Sequence, residues 1–312
     1  MIFCFSSKQV EGTTCHAIAL EGGGSRGAYE AGVLRGLVEA LPGSEVAWDV
    51  ATGISAGSIN TFVLALFKVG DEQALTKFMV EVATNLTETS IFKHWGIGWK
   101  EGLAQGLLHE KGLVNTSPLR KTLENVYDMK GPIKNRKFAI GATSMTTGNL
   151  HIWNETISGQ LLVNASMASS AIPGVFPYQT FGGDSYQDGG VIQSVNVISA
   201  VTRCLEVVSN QQDITVDIVL TAKAALKSED LDGLKTIGSA LRTAEISRYN
   251  TAVRQIREAQ QAFPSVQWRY LVEPTQPLPG SLDFSHEALT EMVNVGIDDG
   301  KNIIKKGPMG QI

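Results

Sequence analysis

The sequence predicts an α/β fold on a mainly parallel sheet, and two observations near its start carry that expectation. Residues 16–20 read as a short strand, residues 22–27 as a glycine loop, and residues 28–41 as a helix closed by Pro42-Gly43. The pattern then repeats: residues 48–52 form a strand, residues 53–57 a sharp turn, and residues 58–69 an apolar helix ending at Gly70. Two strands each followed by a helix lie side by side in parallel, because the helix carries the chain back to the edge from which the next strand starts.

The elements beyond residue 70 follow less regular signals. Residues 87–112 hold Phe92, Trp95 and Trp99 among several glycines and keep no sustained period. They read as a cap over a site or a lipid-contacting surface, with ordinary core aromatics as the competing reading. Ser117-Pro118 starts a helix through Val126, with the serine as N-cap and the proline at the first helical position. Residues 138–143 and 150–153 read as strands of a hairpin joined across Thr147-Gly148-Asn149. Residues 217–220 and 266–272 have the content of buried strands and bracket a helical region at 234–263. There Leu234, Ile237 and Leu241, then Ile246, Tyr249, Val253 and Ile256, follow three-four spacing with one slip, which fits two packed segments or one kinked helix.

Composition narrows the function classes. A chain of 312 residues with 43% hydrophobic and 18% charged residues suits one globular unit, and no repeat, low-complexity tract or linker divides it, so residues 1–312 read as a single domain. A formal charge of −5 attracts no polyanion, which sets nucleic acid aside as a partner. Cys4, Cys15 and Cys204 are odd in number and lack metal-ligand spacing, so they read as reduced thiols. With residues 1–7 lacking the pattern of a secretory signal, this reading points to a cytoplasmic address. The apolar run at residues 62–67 is far shorter than the roughly 20 residues that cross a bilayer, so no transmembrane segment is expected and membrane contact is peripheral. The five histidines are scattered, with no pair at ligand spacing, so neither metal nor cofactor is expected.

Three glycine-rich motifs carry the chemistry. Gly53-Ile54-Ser55-Ala56-Gly57 is a G-x-S-x-G sequence between a strand and an apolar helix, where small flanking residues let the chain turn sharply and expose the serine at the corner. The helix dipole behind it favours negative charge developing near Ser55; a plain helix-capping serine is the competing reading. In Glu21-Gly22-Gly23-Gly24-Ser25-Arg26-Gly27, the glycines also satisfy the dinucleotide pattern G-x-G-x-x-G. That reading needs an acidic residue ending the second strand, whereas Asp49 opens it. The second reading is an oxyanion hole in which Gly23 and Gly24 aim backbone N–H groups at an ester oxygen, and Arg26 either holds the loop through carbonyls or faces solvent. A nucleophilic serine needs a base. Asp188-Gly189-Gly190, in a glycine-rich turn after Gly182-Gly183-Asp184, offers a carboxylate with room for substrate beside it.

Taken in order, these motifs resemble the patatin-like phospholipase family. A fourth block, Ala168-Ser169-Ser170-Ala171-Ile172-Pro173-Gly174-Val175-Phe176-Pro177, is similar to the family's Ser-Ala-x-Pro-x-x-Phe-x-Pro segment. The resemblance covers roughly residues 17–191, leaving 192–312 to complete the fold with C-terminal helices and strands. It implies a three-layer α/β/α fold, Ser55 as nucleophile and Asp188 as base without histidine. It further implies an oxyanion hole around Gly22, Gly23 and Gly24, a structural or electrostatic role for Arg26, and hydrolysis of acyl esters in phospholipids or related lipids. Gly53, Gly57, Gly189 and Gly190 complete the motifs. Glu21 stands where many members have aspartate, outside the groups that react. At an ordinary carboxyl value of about 3.9, Asp188 is ionised at neutral pH. A Ser55-Asp188-His286 triad would also satisfy the chain order of an α/β-hydrolase. The same motifs would serve an acyltransferase, or persist in a lipid-binding protein that has lost its activity.

Overall fold

The computed structural model describes residues 14–96, 99–222 and 236–312. Its centre is an eight-stranded sheet in which β1 (Cys15–Leu20) lies between β2 (Val50–Ile54) and β7 (Ile214–Val219). β3 (Lys137–Ser144) follows β2, and β8 (Gln267–Val272) follows β7, all in parallel. Antiparallel strands extend the β3 side: β4 (Leu150–Trp153) and β6 (Asp184–Asp188) both pair with β3, and β5 (Gln179–Phe181) pairs with β6.

The alternation of side chains along β1 explains why helices cover both faces. Ile18 and Leu20 enter a core shared with α1 (Gly27–Ala40), α2 (Ala56–Ala65) and α3 (Glu72–Asn85), and with α10 (His286–Lys306) from the chain's end. Cys15, Ala17 and Ala19 face the opposite way, into a second core with α8 (Val197–Cys204) and α9 (Thr236–Ala262). A parallel strand buried on both faces must be apolar at nearly every position, as Cys-His-Ala-Ile-Ala-Leu is. The remaining helices, α4 (Glu88–Ile91), α5 (Trp99–Leu108), α6 (Ser117–Lys130) and α7 (Gly159–Ser169), lie between β2 and β5 in the chain.

Several expectations need correction. Cys15 and Cys204 are joined by a disulfide across 189 positions of sequence, because β1 and α8 pack in the same core and bring their Cα atoms to 5.6 Å. Spacing along the chain carries no trace of that proximity; Cys4 lies outside the described residues. The second helix stops at Ala65 instead of reaching Val69: Lys134 N–H takes the Ala65 carbonyl at 2.9 Å and buried Arg136 takes those of Leu64 and Lys68, ending the helical ladder. The aperiodic stretch at 87–112 contains α4 and α5, so its want of a clear period reflects short helices on a mixed surface. The helix at 117 has Thr116 at its N-cap position, without a side-chain capping bond, and Ser117 already inside it, and it continues to Lys130. The slip at 241–246 falls within one helix, α9; Leu234 lies outside the described residues.

Candidate active site

Ser55 occupies the corner between β2 and α2, with φ 53° and ψ −120°. It is the one non-glycine residue with positive φ among the described residues, and such a conformation costs on the order of 1–3 kcal/mol. The surroundings hold it there. Gly57 N–H donates to the Glu21 carbonyl at 3.2 Å, tying the turn to the end of β1. Ser55 N–H donates to Ser169 Oγ at 2.9 Å, and that hydroxyl donates to the Gly141 carbonyl at 2.6 Å. The motif's glycines are steric requirements: a Cβ at Gly53 would stand 2.1 Å from the Gly57 carbonyl oxygen, and one at Gly57 2.5 Å from that of Leu20.

Strand register brings Asp188 to Ser55. Ile54, the last residue of β2, pairs with Gly141 of β3, and the next residue of β3, Ala142, pairs with Asp188 at the end of β6. Asp188 therefore ends a strand, where the sequence had suggested a glycine-rich turn. Ser55 Oγ donates to Asp188 Oδ2 at 2.6 Å, while Asp188 Oδ1 accepts from Gly190 N–H at 2.7 Å. Its backbone is pinned as well, with N–H to the Ala171 carbonyl at 3.0 Å and its carbonyl receiving Thr143 Oγ1 at 3.0 Å. Burial pushes the Asp188 carboxyl up to about 6, against the opposing pull of the Ser55 hydroxyl, the Gly190 N–H and the Arg248 charge. The ordinary value expected from sequence does not hold in this site.

The glycine loop lies beside the serine. Gly24, at φ 61°, turns the chain into a short 3-10 segment, and a Cβ there would stand 2.0 Å from the Ser281 carbonyl oxygen. The Gly22 N–H is already donated to the Ser194 carbonyl at 3.2 Å, so the contribution of Gly22 is space: a Cβ would meet that of Ser55 at 2.9 Å. No protein acceptor takes the Gly23 or Gly24 N–H among the described residues. Arg26 turns away from the serine, donating Nε–H to the Pro279 carbonyl at 3.0 Å and pairing with Glu245 at 2.8 Å, which fastens the loop to its neighbours. Ser169, Thr143 and Arg248 are contributors that the motifs did not single out; Ser169 stands in the fourth block with nothing to mark its task.

Cavities of contrasting character meet at Ser55. An open, partly polar one of about 290 Å³ is lined by Ser55, Asp188, Gly24, Arg248 and Glu245 among others. A second, apolar one passes from Ser55 between Ile59, Leu119, Phe176 and Phe284. It shares Ile59, Leu119 and Phe284 with a deeper apolar space that reaches Phe62, Met79 and Leu123. Phe92 packs against Phe176 and Phe284, with ring centroids 6.0 and 6.2 Å apart, so it braces the cavity wall. Trp95 donates Nε1–H to the Gly112 carbonyl at 3.0 Å; the Trp99 side chain lies outside the described residues. On α5, Leu107 and Leu108 are 65% and 75% exposed. His286 opens α10 on the surface with its Nδ1 2.8 Å from the Thr84 carbonyl, apart from the cavities around Ser55. Among the described residues no group of three or more His, Cys, Asp and Glu is placed to hold a metal ion.

The sequence pattern described as "Patatin-like phospholipase" matches residues 18–201, which include the serine corner, the glycine loop and Asp188. The chain belongs to the patatin-like phospholipase family. It is similar to calcium-independent phospholipase A2-gamma of Rattus norvegicus, with 26% identity over 212 residues, covering 62% of this chain and 27% of that protein. The chain thus spans about a quarter of the length of this curated relative. Among solved structures it is similar to VipD from Legionella pneumophila at 12% identity and a TM-score of 0.45, covering 94% of this chain and 67% of the other. A chain of the heterodimeric ExoU-SpcU complex from the type III secretion system of Pseudomonas aeruginosa matches at 15% identity and a TM-score of 0.41, covering 95% and 52%. No helix among the described residues is long and apolar enough to cross a membrane.

Proposed function

We propose that this chain is a serine lipid acyl hydrolase of phospholipase A or lysophospholipase type, working through Ser55 and Asp188 as one catalytic unit. The observation that carries the reading is the 2.6 Å hydrogen bond from a serine held at positive φ to a buried carboxylate. Ser55 Oγ attacks the ester carbonyl carbon as its proton passes to Asp188 Oδ2. A carboxyl near 6 is basic enough to take that proton and acidic enough to return it. The tetrahedral oxygen turns to the N–H groups of Gly23 and Gly24, where one such donor is worth about a hundredfold to a thousandfold in rate. Collapse expels the alcohol, which leaves with the proton from Asp188. Water, deprotonated by the same carboxylate, then attacks the acyl carbonyl, and the acyl group leaves as a fatty acid as Asp188 returns the proton to Ser55 Oγ.

The apolar cavity beside Ser55 suits the acyl chain, and its wall includes Phe176 and Phe284, against which Phe92 packs. Exposed Leu107 and Leu108 suit peripheral contact with a lipid surface. Phospholipids and related lipids are the substrates this arrangement favours; an alcohol in place of water would make the same acyl-enzyme an acyltransferase. The Cys15–Cys204 bond replaces the reduced thiols expected from sequence and weighs against the cytoplasmic address, because buried disulfides persist in oxidising compartments.

The test compares Ser55→Ala and His286→Ala on a soluble ester and with a serine-directed fluorophosphonate. Ser55→Ala should stay folded, hydrolyse nothing and take no label, while His286→Ala keeps its rate within a fewfold. Hydrolysis surviving in Ser55→Ala would end the proposal, and a collapse in folded His286→Ala would replace the dyad with a triad.

A further inference from the structure

The open cavity at Ser55 contains two charged groups whose bonding is complete and one whose bonding is not. Asp188 accepts from Ser55 and Gly190, and Glu245 pairs with Arg26 at 2.8 Å and with Arg242 at 3.2 Å. Arg248 differs. Its nearest opposite charge is Glu21 Oε1, 3.7 Å from Nε, and both Nε and Nη2 are buried with no hydrogen-bond partner. Glu21 cannot swing to meet it, because Glu21 Oε2 is held by the Thr221 N–H at 2.6 Å and by Thr221 Oγ1 at 3.1 Å.

A guanidinium has five N–H donors in a planar fork. Nε lies toward Glu21, while Arg248 lines the open cavity with its side chain 17% exposed, so the donors that remain accessible there can meet an incoming acceptor. The mounting is firm. The Arg248 carbonyl accepts from Ser194 Oγ at 2.8 Å, and nearly two turns onward Gln255 binds Ser194 N–H, Val195 N–H and the Ile192 carbonyl. One turn earlier Glu245 is tied to Arg26 of the glycine loop. α9 is thereby fastened on both sides of Arg248 to segments that adjoin Asp188 and Ser55. The second arginine near the serine, Arg26, is committed to Pro279 and Glu245.

We propose that Arg248 anchors the head group of the substrate: its guanidinium binds the phosphodiester anion of a phospholipid or lysophospholipid whose ester carbonyl lies at Ser55. This deepens the hydrolase reading and rests on it. Charge-assisted hydrogen bonds from a guanidinium are a usual way in which a phosphate is held. The cavity arrangement supplies the two ends of such a substrate, polar toward α9 and apolar toward Phe62 and Leu123.

The test uses two substrates with one acyl chain, lysophosphatidylcholine and the monoacylglycerol that lacks its phosphate, both below their aggregation concentration at pH 8. Arg248→Gln should lower the ratio of kcat/KM for the phosphate-bearing over the neutral substrate roughly tenfold to a hundredfold, the size of a charge-assisted pair. Arg248→Lys should recover part of it. Equal losses on both substrates, or no loss on either, would overturn the proposal. Should the buried Glu21 charge left behind unfold Arg248→Gln, the double variant Glu21→Gln/Arg248→Gln carries the same comparison. Binding is read separately by titrating Ser55→Ala protein with lysophosphatidylcholine, where adding Arg248→Gln should weaken affinity by a similar factor. If the wild type cleaves neither ester the hydrolase reading fails, and this titration still decides on Arg248. Inorganic phosphate binding as tightly as the lysolipid, and losing affinity in the same variant, would assign the site to a free anion and overturn the head-group role.

Discussion

Asp188→Asn should make the protein more stable at neutral pH while disabling it. Burial raises the Asp188 carboxyl from the ordinary 3.8 to about 6, so the folded state holds its proton more tightly than the unfolded chain does. Stability from that proton is complete below the unfolded value and is lost as pH rises through about 6. Each pH unit of displacement corresponds to about 1.4 kcal/mol, so keeping Asp188 ionised at pH 8 costs the fold roughly 3 kcal/mol. An asparagine carries no charge at any pH and escapes that cost. Its oxygen still accepts the Gly190 N–H, and its amide faces Ser55 Oγ, a hydroxyl able to turn and accept. Thermal melts of wild type and variant from pH 4 to pH 8 should show the variant several degrees higher at pH 8, with the gap closing toward pH 4. Hydrolysis of a soluble neutral ester should fall by about a hundredfold or more in the variant, since an amide takes no proton from serine. In the wild type, kcat/KM should drop tenfold per unit below about pH 6. A variant no more stable than wild type at pH 8, or a wild-type rate level down to pH 4.5, would refute the raised carboxyl and the cost assigned to it.

Further outcomes follow from the surface and from the disulfide. Leu107→Asp/Leu108→Asp should reduce the rate on phospholipid vesicles about tenfold or more and spare a soluble ester, because two exposed leucines together supply a few kcal/mol of burial in lipid; equal rates on vesicles would remove α5 from the lipid contact. Reduction of Cys15–Cys204 should lower stability by up to about 5 kcal/mol on the chain-entropy account of a loop this long. Melts with and without reductant measure this, and Cys204→Ser should melt like the reduced wild type and ignore the reductant.

What was legible in the sequence was local. The corner at Gly53-Ile54-Ser55-Ala56-Gly57 could be read because its pattern lies within five positions, although Glu21 and Ser169 hold it in place, and the branched content of residues 217–220 marks a buried strand. Asp188 was legible as a residue and illegible as a place. Its seat on an antiparallel strand depends on β6 taking up β3 where β2 leaves off, a pairing across more than 40 positions. The same limit hid the disulfide, the Arg26–Glu245 pair and the orientation of Arg248, each joining segments about 190 to 230 positions apart. The Asp188 carboxyl value was missed for a related reason, since burial is a property of the assembled site and not of the D-G-G turn.

The bond between Cys15 and Cys204 also changes what a cut in the chain would do. It closes a ring that contains both Ser55 and Asp188. A protease nicking the exposed turn at Gly148 would leave Ser55 on one fragment and Asp188 on the other, yet the two would travel as one molecule until the disulfide was reduced. Ser55 and Asp188 would then sit on two covalently tethered halves of the chain, and the integrity of the site would depend on redox state instead of on an unbroken backbone.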